Sequence, residues 1–319
     1  MLAVQITTLD GPEAVQVADL PDPVAGDGQV LIRVRAAGVA FPEVLQSRGQ
    51  YQMKPPLPFV PGAEIAGEIV TAPEGSGFAP GDRVTSISLL GGFAELAVAP
   101  LDFTFRLPDS VTFEQGAALP FNYLTSHFAL IPRGHLAEGE SVLVHGAAGG
   151  IGTSAIQIAK AFGAGRVIAV TSTDDKGAVA VEAGADEYVL VDGFKDAVKD
   201  RGGVDVVVDP VGGDRFTDSL RSLKEDGRLL VIGFTGGSIP EVKVNRLLLN
   251  NVSVVGVGWG AYAMGKPGYL QQQWTDILPH VESGALTPPI GRTFGLDEAT
   301  AALLELDERR ATGKVLLLP

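Results

Sequence analysis

The rhythm of hydrophobic and polar positions changes once along the chain, near residue 117. Before that point, short apolar runs such as Val30–Val34, Ile65–Val70 and Phe93–Val98 lie between Gly, Pro and Asp residues, the pattern of strands in a β-rich region. Pro55, Pro56, Pro58 and Pro61 crowd one segment. Proline cannot donate to a ladder, so this segment is predicted as a loop. After residue 117, apolar strands alternate with helical spacing. Ser141–His145 reads as a strand. Ile151, Ala155, Ile158, Ala159 and Phe162 place apolar side chains on one helical face. Arg166–Val170 follows as a strand, then a helix over Asp175–Ala183 that Gly184 ends. Tyr188–Val191, Val204–Val208, Leu229–Ile232 and Val252–Val257 read as further strands. Near-continuous Val/Ile/Leu strands alternating with helices predict an α/β fold with a parallel sheet covered on both faces. Helices over Tyr269–Glu282 and Leu296–Arg310 and a strand over Lys314–Leu318 close the chain.

A length of 319 residues suggests two domains. The balance of 24 basic against 38 acidic side chains gives a net charge of −14. That field repels nucleic acid and anionic membrane surfaces, so neither is an expected partner. A phosphate-bearing ligand would have to be held by local groups. The absence of cysteine excludes disulfides, thiolate metal sites and a cysteine nucleophile. No apolar run reaches the ~18 residues of a membrane span, and Met1–Asp10 lacks the basic flank and apolar core of a signal peptide. A cytoplasmic location is the expectation.

The most informative segment is Val142-Leu143-Val144-His145-Gly146-Ala147-Ala148-Gly149-Gly150-Ile151-Gly152. A strand runs into a glycine turn and then a helix, the context that gives a glycine pattern meaning. Gly149 and Gly150 let backbone N–H groups near Ala148 and Ile151 approach a pyrophosphate. Gly152 permits close packing of the helix, whose N-terminus adds partial positive charge. This predicts dinucleotide binding on a Rossmann-type, doubly wound sheet; the competing reading is a tight turn without ligand. About 20 residues past the glycines, an NAD-binding domain places an acid for the ribose 2′-hydroxyl. Here that position is Thr171, followed by Ser172, Thr173, Asp174, Asp175 and Lys176. Hydroxyls and an ammonium group suit a 2′-phosphate, so NADPH is expected over NADH. Asp174 and Asp175 fit the first turn of the next helix, where acids complement the dipole.

These motifs join others in a fixed order: Gly38-Val39-Ala40-Phe41-Pro42-Glu43, Arg48-Gly49-Gln50-Tyr51, Pro61-Gly62-Ala63-Glu64-Ile65-Ala66-Gly67, Pro80-Gly81-Asp82-Arg83-Val84, Asp209-Pro210-Val211-Gly212-Gly213, Gly227–Phe234 and Arg310–Val315. Over nearly its whole length the chain resembles the zinc-independent quinone oxidoreductase branch, which includes zeta-crystallin, of the medium-chain dehydrogenase/reductase superfamily. The resemblance implies a GroES-like, partly β-barrel catalytic domain over 1–118 and 263–319 and a Rossmann NADP(H)-binding domain over 119–262, with the active site where the two meet. It also implies a homodimer. Thr125 would contact the cofactor, Ser172, Lys176 and Arg310 would lie near the 2′-phosphate, and Gly233, Phe234, Val257 and Gly258 would face the nicotinamide. Tyr51 matches a pocket tyrosine that orients a substrate carbonyl or relays a proton; an ordinary rim tyrosine is the alternative.

Zinc-dependent relatives carry a cysteine shortly after the glycine matching Gly38 and a histidine at the position of Ala63. Neither ligand is present here, and His127, His135, His145 and His280 fall elsewhere without ligand spacing. No zinc is expected, and the four histidines read as structural. Without a metal to polarise a simple ketone, quinones and conjugated enones are the fitting small-molecule substrates. Trp259, Tyr262 and Phe41 are candidate walls for such a pocket or ordinary core residues. Two departures from the family stand out: Ala40 replaces a pocket asparagine, and Val191 replaces a tyrosine near the 2′-phosphate. Two rival readings remain, an enoyl or alkenal double-bond reductase and a non-catalytic NADPH-binding protein.

Overall fold

The computed structural model describes all residues, Met1–Pro319. The chain divides into two compact units, one formed by 1–121, 267–282 and 288–319, the other by 122–266 and 283–287.

The first unit is organised around the long strand Gln29–Val39, in which Val30, Ile32 and Val34 are buried and Arg33 and Arg35 are exposed. The period-2 alternation gives this strand one apolar face. It pairs antiparallel with Glu64–Thr71, Leu96–Pro100 and Lys314–Leu318. Ile290–Gly295, Arg83–Ile87 and Thr104–Arg106 complete a seven-stranded sheet. The last strand thus joins the end of the chain to its beginning. Ile65, Ile69, Val84, Phe93, Leu303 and Leu317 fill the core beneath, each such side chain contributing roughly 1.5–3 kcal/mol on burial. Gly38 sits where no side chain fits: a Cβ there would lie 2.4 Å from Ala117 O and 2.7 Å from Lys314 Cε. The helix Tyr269–Glu282 packs on this unit through Trp274, stacked on Phe105 at 5.0 Å.

Three findings here differ from the sequence pattern. Of the run Phe93–Val98 only the last three residues are strand, in an element that spans Leu96–Pro100. The helix expected over Leu296–Arg310 is a 3-10 turn, Leu296–Glu298, followed by an α-helix that stops at Asp307. A hairpin of Leu2–Gln5 and Gln16–Asp19 has no counterpart in the predicted elements.

The second unit contains a six-stranded, wholly parallel sheet. Its strands in chain order are Ser141–His145, Arg166–Thr171, Glu187–Leu190, Val204–Asp209, Leu223–Val231 and Ser253–Gly256. Their spatial order is third, second, first, fourth, fifth, sixth. The connections reverse direction between the first and fourth strands, and a crevice opens at the carboxyl ends at such a switch point. Leu143, Ile168, Val170 and Val207 project to one face, packed by Phe194, Val198, Phe216 and Leu220 from the helices Phe194–Asp200 and Phe216–Ser222. The helix Gly150–Ala161 lies against the first and second strands and buries Ala155, Ile156, Ile158 and Ala159.

Candidate functional site

The glycine turn follows directly from the fully buried first strand. Gly146 has φ +58°, a left-handed conformation that favours glycine. Gly149 N–H then donates to Gly146 O at 3.0 Å, and the helix begins with Gly149 as its N-cap. The three motif glycines do different work. A Cβ on Gly152 would stand 2.2 Å from Gly146 O and 2.5 Å from Ala147 Cα, so this glycine closes the turn on itself. A Cβ on Gly150 would meet Asn122 Nδ2 at 2.5 Å. At Gly149 the nearest atom to such a Cβ is Gly146 O at 3.5 Å, ordinary contact. Gly149 is therefore the glycine whose Cβ the protein itself does not exclude.

Chemistry at this helix start favours an anion. No side chain caps it and its first turn holds no acid, so its leading amides keep their partial positive charge. The neighbouring helix Pro120–Phe128 buttresses it: Ser126 Oγ is 2.6 Å from Ser154 Oγ, and Tyr123 OH donates to Gln157 Oε1 at 2.7 Å. Thr125, on that buttress, is buried. Asn122 is a contributor that the glycine spacing does not reveal; only the fold brings it against Gly150.

At the end of the second strand Thr171 is buried and Ser172 is exposed. Thr173 caps the next helix, Asp174–Glu182, by accepting from Lys176 N at 3.4 Å. Asp174 accepts from Tyr188 OH at 3.1 Å; Ser172 is exposed and Lys176 half-buried beside the same strand end. Gly233 and exposed Phe234 follow the fifth strand, while buried Val257 and exposed Gly258 follow the sixth. All of these, with the glycine turn, stand at the carboxyl edge of one parallel sheet. Trp259 is buried, and Tyr262 packs on Phe128 at 5.0 Å.

Tyr51 and Arg310 belong to the other unit. Arg310 is exposed and pairs with Glu305 at 3.3 Å and with Glu308. Tyr51 follows the helix Phe41–Ser47 and is half-buried; burial, then the charge of Glu43, raise its phenol pKa. Glu43 is buried and accepts from Ala40 N–H at 2.8 Å and Ala63 N–H at 3.1 Å. Its carboxyl is pushed up to about 7, chiefly by burial, with Glu64 adding to the rise and Lys314 and the Ala40 amide opposing it. Glu64 is ion-paired with Lys314, both buried, and its second oxygen accepts from Phe121 N–H at 3.0 Å. Ala40 and Ala63 are thus joined through one carboxylate. No group of three His, Cys, Asp or Glu side chains is arranged to hold a metal ion.

Comparisons with known proteins agree with this organisation. Residues 26–109 match the alcohol dehydrogenase GroES-like domain family, and residues 150–282 match the family described as zinc-binding dehydrogenase. Quinone oxidoreductase-like protein 2 of Mus musculus is 38% identical over 98% of this chain and 90% of its own length. Quinone oxidoreductase of Homo sapiens is 34% identical over 100% of this chain and 98% of its own. Among solved structures, the quinone oxidoreductase of Thermus thermophilus, determined alone and with NADPH, superposes with a TM-score of 0.87 at 34% identity, covering 100% of both chains. The Escherichia coli quinone oxidoreductase complexed with NADPH gives 0.91 at 27% identity, again over 100% of both. The chain therefore belongs to the quinone oxidoreductase branch of the medium-chain dehydrogenase/reductase superfamily, and is an enzyme of that kind.

Proposed function

We propose that this chain is an NADPH-dependent reductase of quinones or related conjugated carbonyl compounds, working by direct hydride transfer without a metal. The observation that carries the reading is the helix start at Gly149, which has no side-chain cap and no acid in its first turn. The amides of Ala148, Gly150, Ile151 and Gly152 would grip the pyrophosphate, with Gly149 keeping the turn open to it. Ser172 and Lys176, with Arg310, would hold the 2′-phosphate. Thr125, Gly233, Phe234, Val257 and Gly258 would orient the nicotinamide end. When bound, the dihydronicotinamide supplies a hydride to the acceptor, and a proton completes the reduction. Tyr51 would position the acceptor oxygen through its phenol, protonated at neutral pH like any tyrosine and held further from ionisation by burial.

The metal-free part of the proposal rests on the donor set. Ala40 and Ala63 offer no side-chain ligand, and Glu43 is already committed to their backbone N–H groups. Already-activated acceptors need no Lewis acid. The test is steady-state NADPH oxidation across quinones, enals and enoyl thioesters, with NADH and a chelator as controls. Quinone turnover that prefers NADPH and ignores the chelator is the expected result. Turnover confined to enals or enoyl thioesters would move the substrate class to double-bond reduction. Tight binding of NADPH with no oxidation would make the protein a non-catalytic binder.

We further propose a homodimer formed through the second unit. Its edge strand Ser253–Gly256 has a neighbour on one side only. Just before it, Val244, Leu248 and Leu249 are each more than 70% exposed, and a bare edge beside apolar side chains invites pairing with another copy. Light scattering should give twice the chain mass, and Leu248→Glu should give monomer.

A further inference from the structure

His145 Nδ1, Asp209 Oδ2 and Arg215 Nε are buried polar side-chain atoms without hydrogen-bond partners. Such groups are costly to bury unsatisfied, so each calls for a partner. His145 ends the first strand, one residue before Gly146. Its buried ring lies edge-on to Phe194 at 5.0 Å, with Nε2 2.8 Å from Ser219 Oγ. The Ser219 hydroxyl already donates to Arg215 O at 3.0 Å. Ser219 therefore accepts from Nε2–H, which leaves Nδ1 as a bare acceptor. Burial, reinforced by the Arg215 charge, lowers the imidazole pKa to about 3, so the ring is neutral.

Asp209 ends the fourth strand. Its Oδ1 accepts from Val211 N–H and Gly212 N–H, each at 2.9 Å, and shapes the turn there. The strands run parallel in the register Val142↔Val206, Leu143↔Val207, Val144↔Val208. The next pair in that register is His145 opposite Asp209. Residues opposite one another in a parallel pair project to the same face, so His145 and Asp209 share the face that the helix Phe216–Ser222 covers through Ser219. Arg215 stands one turn before Ser219, whose hydroxyl joins the Arg215 carbonyl to His145 Nε2. A direct His145–Asp209 bond is chemically barred while both atoms are acceptors. A bound anion would meet the Asp209 carboxylate, and a bound cation the Arg215 charge. One water has the needed complement: two hydrogens for Nδ1 and Oδ2, and a lone pair for Nε–H.

We infer that His145, Asp209 and Arg215 hold a single internal water that ties the ends of the first and fourth strands beneath the glycine turn. These strands flank the switch point of the sheet, so the tie fixes the spacing between the Gly146 turn and the Pro210–Gly212 turn. His145 and Arg215 are positioning residues: they act on the dinucleotide through the backbone. The consequence for NADPH rests on the function proposed above, whereas the water itself does not.

The test has two arms. A crystal structure of the full chain, at a resolution that shows ordered water, should contain a peak within about 3.2 Å of all three atoms. Direct contacts among the three side chains, with no peak, would overturn the proposal. The second arm is a double-mutant cycle on NADPH affinity using His145→Phe and Arg215→Met. Loss of either partner removes the same water. The single variants should weaken binding by about fivefold to tenfold, and the double variant by no more than the worse single. The kcat at saturating NADPH should stay unchanged, a split that general unfolding would not give. Effects that multiply, or a Kd moved by neither substitution, would refute the coupling. If wild-type protein bound no NADPH, the functional reading would fail, while the crystallographic arm would still decide the water.

Discussion

The helix Phe41–Ser47 begins at Ala40, whose N–H is taken by Glu43 Oε2 at 2.8 Å, while the other Glu43 oxygen takes the Ala63 N–H. The helix Gly150–Ala161 begins at Gly149 with no side-chain cap and no acid in its first turn. Both starts present backbone donors. One has been filled by the chain's own carboxylate, the other kept clear. The helix Asp174–Glu182 resembles the first case, with Thr173 as its cap and Asp174 and Asp175 in its first turn. Backbone amides form an anion site only where the sequence withholds its own acceptors. The glycines do so at the Gly149 start by removing the side chains that would otherwise occupy it.

The comparison can be broken most severely at Gly152. A Gly152→Val side chain would collide with Gly146 O and Ala147 Cα. The turn must open, at a cost of about 1–3 kcal/mol or more, and NADPH binding should disappear in a fluorescence titration. Gly149→Asp sharpens the contrast, because it supplies the missing cap without a steric clash. Such a cap stabilises a helix by about 1 kcal/mol, whereas its carboxylate would face the pyrophosphate at a cost of several kcal/mol. The melting temperature should hold or rise while the Kd for NADPH rises roughly 100-fold; a Kd that stayed constant would show the phosphates lie elsewhere.

Glu43 tests the filled start through pH. Its carboxyl has a pKa of about 7 in the fold against an ordinary 4.5. Between those values the native state binds more protons than the unfolded chain, so stability falls as pH rises through this window, by an amount on the order of 3 kcal/mol. Glu43→Gln removes the titration, and its melting temperature should vary less than wild type from acid to neutral pH. A smaller effect is expected at Lys176, since half-buried charges are screened by solvent. Lys176→Ala should weaken NADPH by about fivefold and leave NADH unchanged. The mildest substitution is Thr173→Ala, which removes a cap worth about 1 kcal/mol. It should lower the melting temperature by a few degrees without moving the Kd for NADPH.

The second unit is largely legible in the sequence because parallel strands are buried on both faces and read as unbroken Val and Ile. The pattern places Ser141–His145 and the final strand Lys314–Leu318 at their observed bounds. It also gives the helix Tyr269–Glu282, despite Pro279 inside it. Phe194–Asp200 escapes the pattern because its buried apolar residues are only Phe194 and Val198. The hairpin strand Gln16–Asp19 escapes it because no buried face marks that strand. Of the candidate site, the glycine turn is readable because its geometry demands glycine at Gly146 and Gly152, at fixed spacing after a buried strand. Asn122 against Gly150, Glu43 bridging Ala40 and Ala63, and Asp209 opposite His145 are not. Each depends on register or packing between segments distant in sequence, and no local pattern encodes that.

Calorimetric titration of NADPH into the wild-type chain and into Gly149→Asp tests the central claim most directly. The account predicts saturable binding to wild type and a loss of about two orders of magnitude in the variant, with its fold intact by thermal melting. Equal affinity for both proteins, or no binding to wild type, would contradict it.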